Sequence, residues 1–374
     1  MIIRRAWSAL LLAAVVHVSN CLTNAVMKKS FFKKLEIASL IAGLALLVYL
    51  IKRTGLDEIA RYFQLMGWGF ALILLLSAVR NLLRAGSWFF SIDPQHRALS
   101  FWSLINVMLA GEAIKYLTAT GPLLGEPAKA AMVRRQVPLL AGFSSIVVEN
   151  LIYNLSVALF MFAGLPALAM LVEVPDKLKM AGYIFAAATV IALLVSWLAI
   201  RGRWFVFARI LERASRARSG KGGRVETAAS RTRSLEESIY SFYEQRRGPF
   251  FLILGFNMCA HLVNVIEVYV ILALIEQPAS LSAGFVVESV TKIINAAFFF
   301  VPTRAGVYES GNEFVLQALG MSAGAGVALA IIRKLRAFVW AGYGLAVILL
   351  LTVKDRRAAG DDRDEGIDKS PQKL

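Results

Sequence analysis

The sequence predicts an all-α fold: a polytopic membrane helix bundle with about six full spans and two re-entrant broken-helix hairpins in an inverted repeat. Three observations lead there. The 374-residue chain is 58% hydrophobic with a mean hydropathy of +0.63. That exceeds the roughly 45–50% apolar content of a soluble domain, and the excess sits in blocks of about 16–30 residues, the length that crosses a hydrocarbon core. The net charge of +16 reads as the positive-inside rule together with attraction to anionic lipid heads, not as nucleic-acid binding. Two apolar blocks, one in each half, are interrupted by proline and glycine beside charged residues.

The N-terminus comes first. Arg4 and Arg5 precede an apolar run from Ala6 to Val18, the form of a secretory signal. Met27 then opens Met-Lys-Lys-Ser-Phe-Phe-Lys-Lys, a cytoplasmic lead-in to the next apolar block. Export of this stretch would carry Lys28, Lys29, Lys33 and Lys34 outward against the charge rule. Residues 1–26 are therefore a signal-like extension or a misassigned start, with Met27 expected first; N-terminal sequencing of the native protein decides it.

The transmembrane domain is expected over 27–353, with candidate spans at 36–52, 67–91, 101–120, 139–165, 180–200, 250–275, 283–301 and 326–353. Its repeat halves, about 67–200 and 250–353, are joined by the loop 201–249. That loop carries twelve Lys and Arg, so it is predicted to be cytoplasmic. Within it, 219–234 is rich in Ser, Gly and Arg and is expected to be flexible. The charged tail 354–374 is expected to be cytoplasmic and disordered.

Counting crossings from a cytoplasmic Lys28–Lys34 puts this basic loop outside after five spans. One of the five must fail to cross. The candidate is 101–137, which carries Glu112 and Lys115, breaks at Gly121-Pro122 and resumes with Gly125-Glu126-Pro127. A re-entrant hairpin there restores parity and leaves Lys129, Arg134 and Arg135 inside. The second half repeats the design: Glu288 and Lys292, a break at Pro302-Thr303-Arg304, then Ala305-Gly306-Val307-Tyr308-Glu309. Interrupted hydrophobic segments at matching positions point to a binding site between inverted repeats. Arg333-Lys334-Leu335-Arg336 fits neither an external loop nor the last span.

An ionisable group inside a span costs on the order of 2.5–3.5 kcal/mol by insertion scales. The charged and polar set is Arg80 and Arg84, Glu112 and Lys115, Glu149 and Asn150, His261 and Glu267, Glu288 and Lys292. Spacings of three or four place Arg80 with Arg84, Glu112 with Lys115 and Glu288 with Lys292 on single helix faces. Such pairs either hold the bundle together or form a charged pathway that accepts a lipid head group while acyl tails stay in the bilayer. Arginine suits phosphate through its planar fork, and broken-helix N-termini offer free N–H groups to an anion. Glycine and proline at a break also serve as plain turn chemistry. An isolated His261 reads first as a hydrogen-bonded packing residue and second as a proton relay, with Asn257 and Asn264 on the same stripe. The tryptophans fit interfacial anchors.

Catalytic signatures are absent: no Gly-x-Ser-x-Gly, P-loop, His-Glu-x-x-His or Cys-x-x-Cys. Asp93-Pro94-Gln95-His96-Arg97 reads as a turn. Cys21 and Cys259 make neither a disulfide framework nor a metal signature. No cofactor, no metal and no catalytic residue are expected.

The run from Gly111-Glu112-Ala113 through Pro122-Leu123-Leu124-Gly125-Glu126-Pro127 to Arg134-Arg135 resembles the membrane region of lysylphosphatidylglycerol synthases. Val301-Pro302-Thr303-Arg304-Ala305-Gly306-Val307-Tyr308-Glu309 is similar to that family's second signature. The resemblance covers most of 36–353. It implies a flippase-like protein that moves or presents a polar lipid, anionic-headed or of hopanoid type, at a bacterial inner membrane. Full synthases add a soluble aminoacyl-transferase domain after the membrane region. This chain ends at Leu374, so lysyl-lipid synthesis is not expected of it, and Thr303-Arg304-Ala305 replaces a glycine-rich stretch common in the family.

The expected substrate-binding set is Glu112, Lys115, Pro122, Gly125, Glu126 and Arg134 in the first hairpin. In the second it is Glu288, Lys292, Pro302, Arg304, Gly306 and Glu309. Arg80, Arg84, Glu149, Asn150, His261 and Glu267 are secondary candidates. Glu126 and Glu309 would cap or pair within the hairpins, and Lys115, Lys292 and Arg304 would meet the anionic head group. The expected partners are membrane lipids. The rival readings are a membrane-embedded lipid-modifying transferase with the carboxylates as acid and base, and an accessory subunit that requires a lipid-biosynthesis enzyme as partner.

Overall fold

The computed structural model describes residues 52, 56–97, 99–117, 121–134, 136–171, 246–298 and 306–367, with short stretches between 180 and 242. The regular structure among these residues is helical. The start at Met27, the block 36–52 except Lys52, about half of 180–200, most of the 219–234 stretch and the 302–304 break lie outside the described residues.

Helix α1 (Leu56–Met66) stops at Gly67, whose φ of 42° an L side chain rarely adopts; its N–H reaches the Phe63 carbonyl at 3.2 Å. Helix α2 (Gly69–Ser91) shows why this chain suits a bilayer. Leu72, Leu75, Val79 and Leu82 are exposed, while Ser77, Asn81 and Ser87 are buried. Polar residues inside and apolar residues outside are the arrangement hydrocarbon selects, because a polar group facing lipid finds no partner. The same inversion holds on α5 (Leu139–Leu171) and α6 (Arg247–Leu274). Leu159, Phe162, Leu262 and Ile266 are exposed there, and Glu149, Ser156, His261 and Glu267 are buried. Helices α2, α5 and α6 are long and apolar enough to cross a membrane.

Between these lie two pairs of shorter helices. Helices α3 (Phe101–Leu117) and α4 (Gly121–Val133) precede α5; α7 (Leu281–Ala297) and α8 (Val307–Ala318) follow α6. At about 1.5 Å per residue they are roughly 18–26 Å long, short of a hydrocarbon core of about 30 Å. Helix α9 (Ala323–Ile367) closes the chain with 45 residues.

Two expectations change. The first break does not fall at Gly121-Pro122: α4 already begins at Gly121, and Gly125-Glu126-Pro127 lie within it. Proline in a first helical turn sacrifices no intrahelical bond, so Pro122 starts a helix rather than ending one. The tail expected to be disordered from Lys354 instead continues α9 to Ile367. Once a long helix is nucleated, each added residue gains one hydrogen bond, so propagation outruns a polar composition.

The packing has a regular plan. Helix α2 packs on α6, α3 on α9, and α5 on α7. Exchanging α2–α5 for α6–α9 in order maps α3·α9 onto α7·α5, α3·α4 onto α7·α8, and α4·α5 onto α8·α9. All of these pairs are in contact. Among the described residues three apolar clusters result, a small one of Val148, Ile152, Phe242 and Ile253 and two larger ones. One gathers Ile73, Leu272, Val286, Leu316 and Leu329; the other gathers Trp88, Leu104, Met108, Val133 and Ile146.

Candidate functional site

Among the described residues, most charges of the helix bundle gather in three groups, and all but Glu112 of the carboxylates in them are buried or partly buried. In the first hairpin, Glu112 of α3 meets Lys115 at 2.9 Å and Lys129 of α4 at 3.3 Å. Glu126 of α4 also meets Lys129 at 3.3 Å and pairs with Lys115. Glycine makes this crossing possible. A Cβ at Gly111 would strike the Lys129 stem, and one at Gly125 would strike the Lys115 stem and the Gly111 carbonyl. Each lysine stem therefore lies against the opposite backbone, with its ammonium between two carboxylates.

The second group spans α6, α7 and α9. Arg333 donates from Nε to Glu267 at 3.1 Å and from Nη2 to Glu288 at 2.6 Å. Arg336 also donates to Glu267, and Lys292 pairs with Glu288 at 2.9 Å. Glu267 and Glu288 are 0% and 1% exposed, so these pairs replace water altogether. Beside them Glu309 accepts the Gly306 backbone N–H at 2.7 Å, capping α8, and pairs with Lys334 of α9 at 2.5 Å. Gly306 has a φ of 77°, a left-handed cap position that favours glycine.

The third group centres on Arg84, which pairs with Glu149 at 3.2 Å and lies 4.0 Å over the Tyr153 ring. Ser87 donates to Glu149 at 3.5 Å, and Asn257 donates to Ser87 at 2.9 Å. His261 is packed against Tyr153 and Phe160. The Ser156 hydroxyl spends its proton on the Tyr153 carbonyl at 2.7 Å, so His261 Nε2, 3.0 Å away, is the donor to Ser156 Oγ. That bond fixes the tautomer with Nδ1 unprotonated.

A cavity of about 270 Å³ lies among these groups. Arg80, Asn81 and Arg84 enter from α2, Glu112 and Tyr116 from α3, Tyr153 from α5, His261 and Asn264 from α6, Lys292 from α7, and Arg336 and Trp340 from α9. It thus draws on both sets of helices and brings four cations and one carboxylate to one space.

The sequence-derived candidates divide accordingly. Glu112, Lys292, Arg80, Arg84 and His261 line the cavity. Lys115 and Glu126 are held in the hairpin network beside it, Glu288 and Glu267 bind the cations behind its wall, and Glu149 backs Arg84. Gly125 and Gly306 serve close approach and capping. Arg134 is exposed past the end of α4, and Asn150 donates to the Ile146 carbonyl at 3.0 Å. Pro122 lies in the first turn of α4; Pro302 and Arg304 are outside the described residues. Sequence reasoning missed Arg333, Lys334 and Arg336 as partners. A signal existed: three cations in one turn matched three membrane carboxylates, Glu267, Glu288 and Glu309, in the same half.

A second cavity, about 330 Å³, lies where the Asp93–His96 turn meets the start of α5 and Phe242 and Arg246. Among the described residues no cluster of His, Cys, Asp and Glu could hold a metal ion.

Compared with known proteins, residues 36–346 match the family model for the lysylphosphatidylglycerol synthase TM region. No protein of curated function and no solved structure matches the chain.

Proposed function

Because the chain belongs to the lysylphosphatidylglycerol synthase transmembrane-region family, an integral membrane protein group tied to lipid modification or translocation, we propose that it translocates or presents a polar lipid across a bacterial inner membrane. The observation that carries this is the charged cavity. Its lining residues come from helices on both sides of the α2–α6 contact, within a bundle whose outer surface is apolar. A head group can sit among these charges while its acyl tails remain in hydrocarbon. The matched packing of the two helix sets supports a reading as inverted repeats with the site between them. The basic loop 201–249 is assigned to the cytoplasm by its charge.

The carboxylates favour translocation over embedded transferase chemistry. Glu112, Glu126, Glu267 and Glu288 each contact two cations, which commits them to ion pairs rather than leaving one free to face a reacting group. The test is lipid movement in proteoliposomes with labelled anionic, zwitterionic and neutral lipids, comparing wild type with Lys292→Ala and Glu309→Gln. Movement lost in both variants is the expected result. A folded wild-type protein that moves no lipid but forms a covalent lipid product with a soluble co-substrate would replace this reading with the transferase one.

A further inference from the structure

Resting on the translocation reading, we propose that the two cavities are stations on one polar path along the seam between α2 and α5, and that the Trp88 indole, latched to Ser145, is the gate between them. The two helices run antiparallel along this seam and face each other with a matched stripe. Arg84 lies 4.0 Å over the Tyr153 ring and pairs with Glu149 at 3.2 Å. One turn further along α2, Trp88 Nε1 donates to Ser145 Oγ at 3.1 Å. Steps of three or four residues keep these groups on one face of each helix. The stripe begins in the 270 Å³ cavity with Arg80, Arg84 and Tyr153, and it ends in the 330 Å³ cavity with Ser91 and Ser145. From Arg80 to Ser91 the helix rises about 16 Å, half the thickness of a hydrocarbon core. Ser241, Phe242 and Arg246 line the far end, so the path leaves the bundle beside the basic loop 201–249.

Between the two cavities lies a void of about 10 Å³. It shares Arg84 and Met108 with the first cavity, and Trp88 and Ile146 are in its wall on the side of the second. That is room for about one water, and far too little for a head group. Its wall is polar all the same. Among the described residues Arg84 Nε and Glu126 Oε2 are buried without a hydrogen bond. The constriction therefore has the chemistry of the path and lacks only its width, because the indole fills it.

The latch is specific. The Ser145 hydroxyl gives its proton to the Gly142 carbonyl at 2.8 Å, so it can only accept from Trp88, and an indole N–H can only donate. Lys129 Nζ stands 5.9 Å from the Trp88 ring centroid, where a cation is drawn to the ring face. Lys129 also pairs with Glu112, which lines the first cavity. An occupant of that cavity that competes for Glu112 or Lys129 thereby loosens a contact on the gate. Trp88 also packs with Leu104 and Met108. A gate differs from a packing residue in acting on one side alone.

The experiment uses the full-length protein in sealed vesicles of both orientations. Cys21 and Cys259 are replaced by alanine, and Ala260→Cys is the reporter in the wall of the first cavity. A membrane-impermeant methanethiosulfonate carrying a sulfonate is added on the face that bears the basic loop, then on the other face. Labelling from the basic-loop face should be slow with the latch intact. Ser145→Ala and Trp88→Phe each remove the latch and keep an apolar plug. They should speed that labelling by roughly two- to tenfold, the worth of one neutral hydrogen bond. Trp88→Ala should speed it further. None of the three should change labelling from the opposite face. Equal rates in the latch variants and in wild type overturn the gate, whether or not Trp88→Ala folds. So does labelling that rises equally from both faces, the signature of loosened packing. A protein that shows the one-sided response and moves no lipid in proteoliposomes overturns translocation alone. Lipid movement without the one-sided response overturns the gate alone.

Discussion

Replacing Arg333 by glutamine removes the group that ties α6, α7 and α9 together. Arg333 is 5% exposed and makes two charge-assisted hydrogen bonds, 3.1 Å to Glu267 and 2.6 Å to Glu288. Each such bond is worth about 1.5–3 kcal/mol, and stripping one partner from a buried pair costs about 3–5 kcal/mol. Glu267 keeps Arg336 and Glu288 keeps Lys292, so neither carboxylate is left wholly bare, and glutamine can restore one neutral bond. The net expectation for Arg333→Gln is a loss of about 3–5 kcal/mol. Arg333→Lys keeps the charge but not the fork, and one ammonium cannot hold both contacts; it should lose about 1.5–3 kcal/mol. Unfolding in mixed micelles by titration with a denaturing detergent measures both. A loss under about 0.5 kcal/mol for Arg333→Gln, the ordinary size of a surface change, would refute the reasoning, as would Arg333→Lys matching wild type.

Gly125→Ala should cost about 1–3 kcal/mol, because its Cβ would meet the Lys115 stem and the Gly111 carbonyl. Gly255→Ala on α6 meets nothing within 4 Å and should be neutral or stabilise by about 0.5–1 kcal/mol; the same titration compares the two. Ser156→Ala leaves the buried His261 Nε2 without its acceptor and should cost about 1–3 kcal/mol, visible as a lower melting temperature. A cysteine placed at Ser219 should react with a membrane-impermeant maleimide only in inverted vesicles; labelling of intact cells would reverse the assignment of the basic loop.

The helices were legible because apolar blocks announce themselves locally. The bounds of α2, α5 and α6 fall within a few residues of the hydropathy blocks 67–91, 139–165 and 250–275, apart from the longer C-terminal end of α5 at Leu171. Short-range charge partners were legible for the same reason: Glu112 with Lys115 and Glu288 with Lys292 are one helical turn apart and do pair. The arginines of α9 were not. Arg333 reaches Glu267 across 66 positions, and no periodicity within α9 says which neighbour it will face. The start of α4 was misjudged because proline reads as a breaker unless its place in the first turn is known.

The two hairpins differ in how their charge is closed. Among the described residues, the first hairpin satisfies its two lysines and two glutamates within α3 and α4. The second is moored to α9 through Arg333 and Lys334. A self-neutral unit can slide past its neighbours as one block, carrying its counter-charges with it and baring none to oil. A moored unit must break ion pairs at every step. If one part of this bundle travels during a transport cycle, the first hairpin is the piston and the second is the cylinder wall.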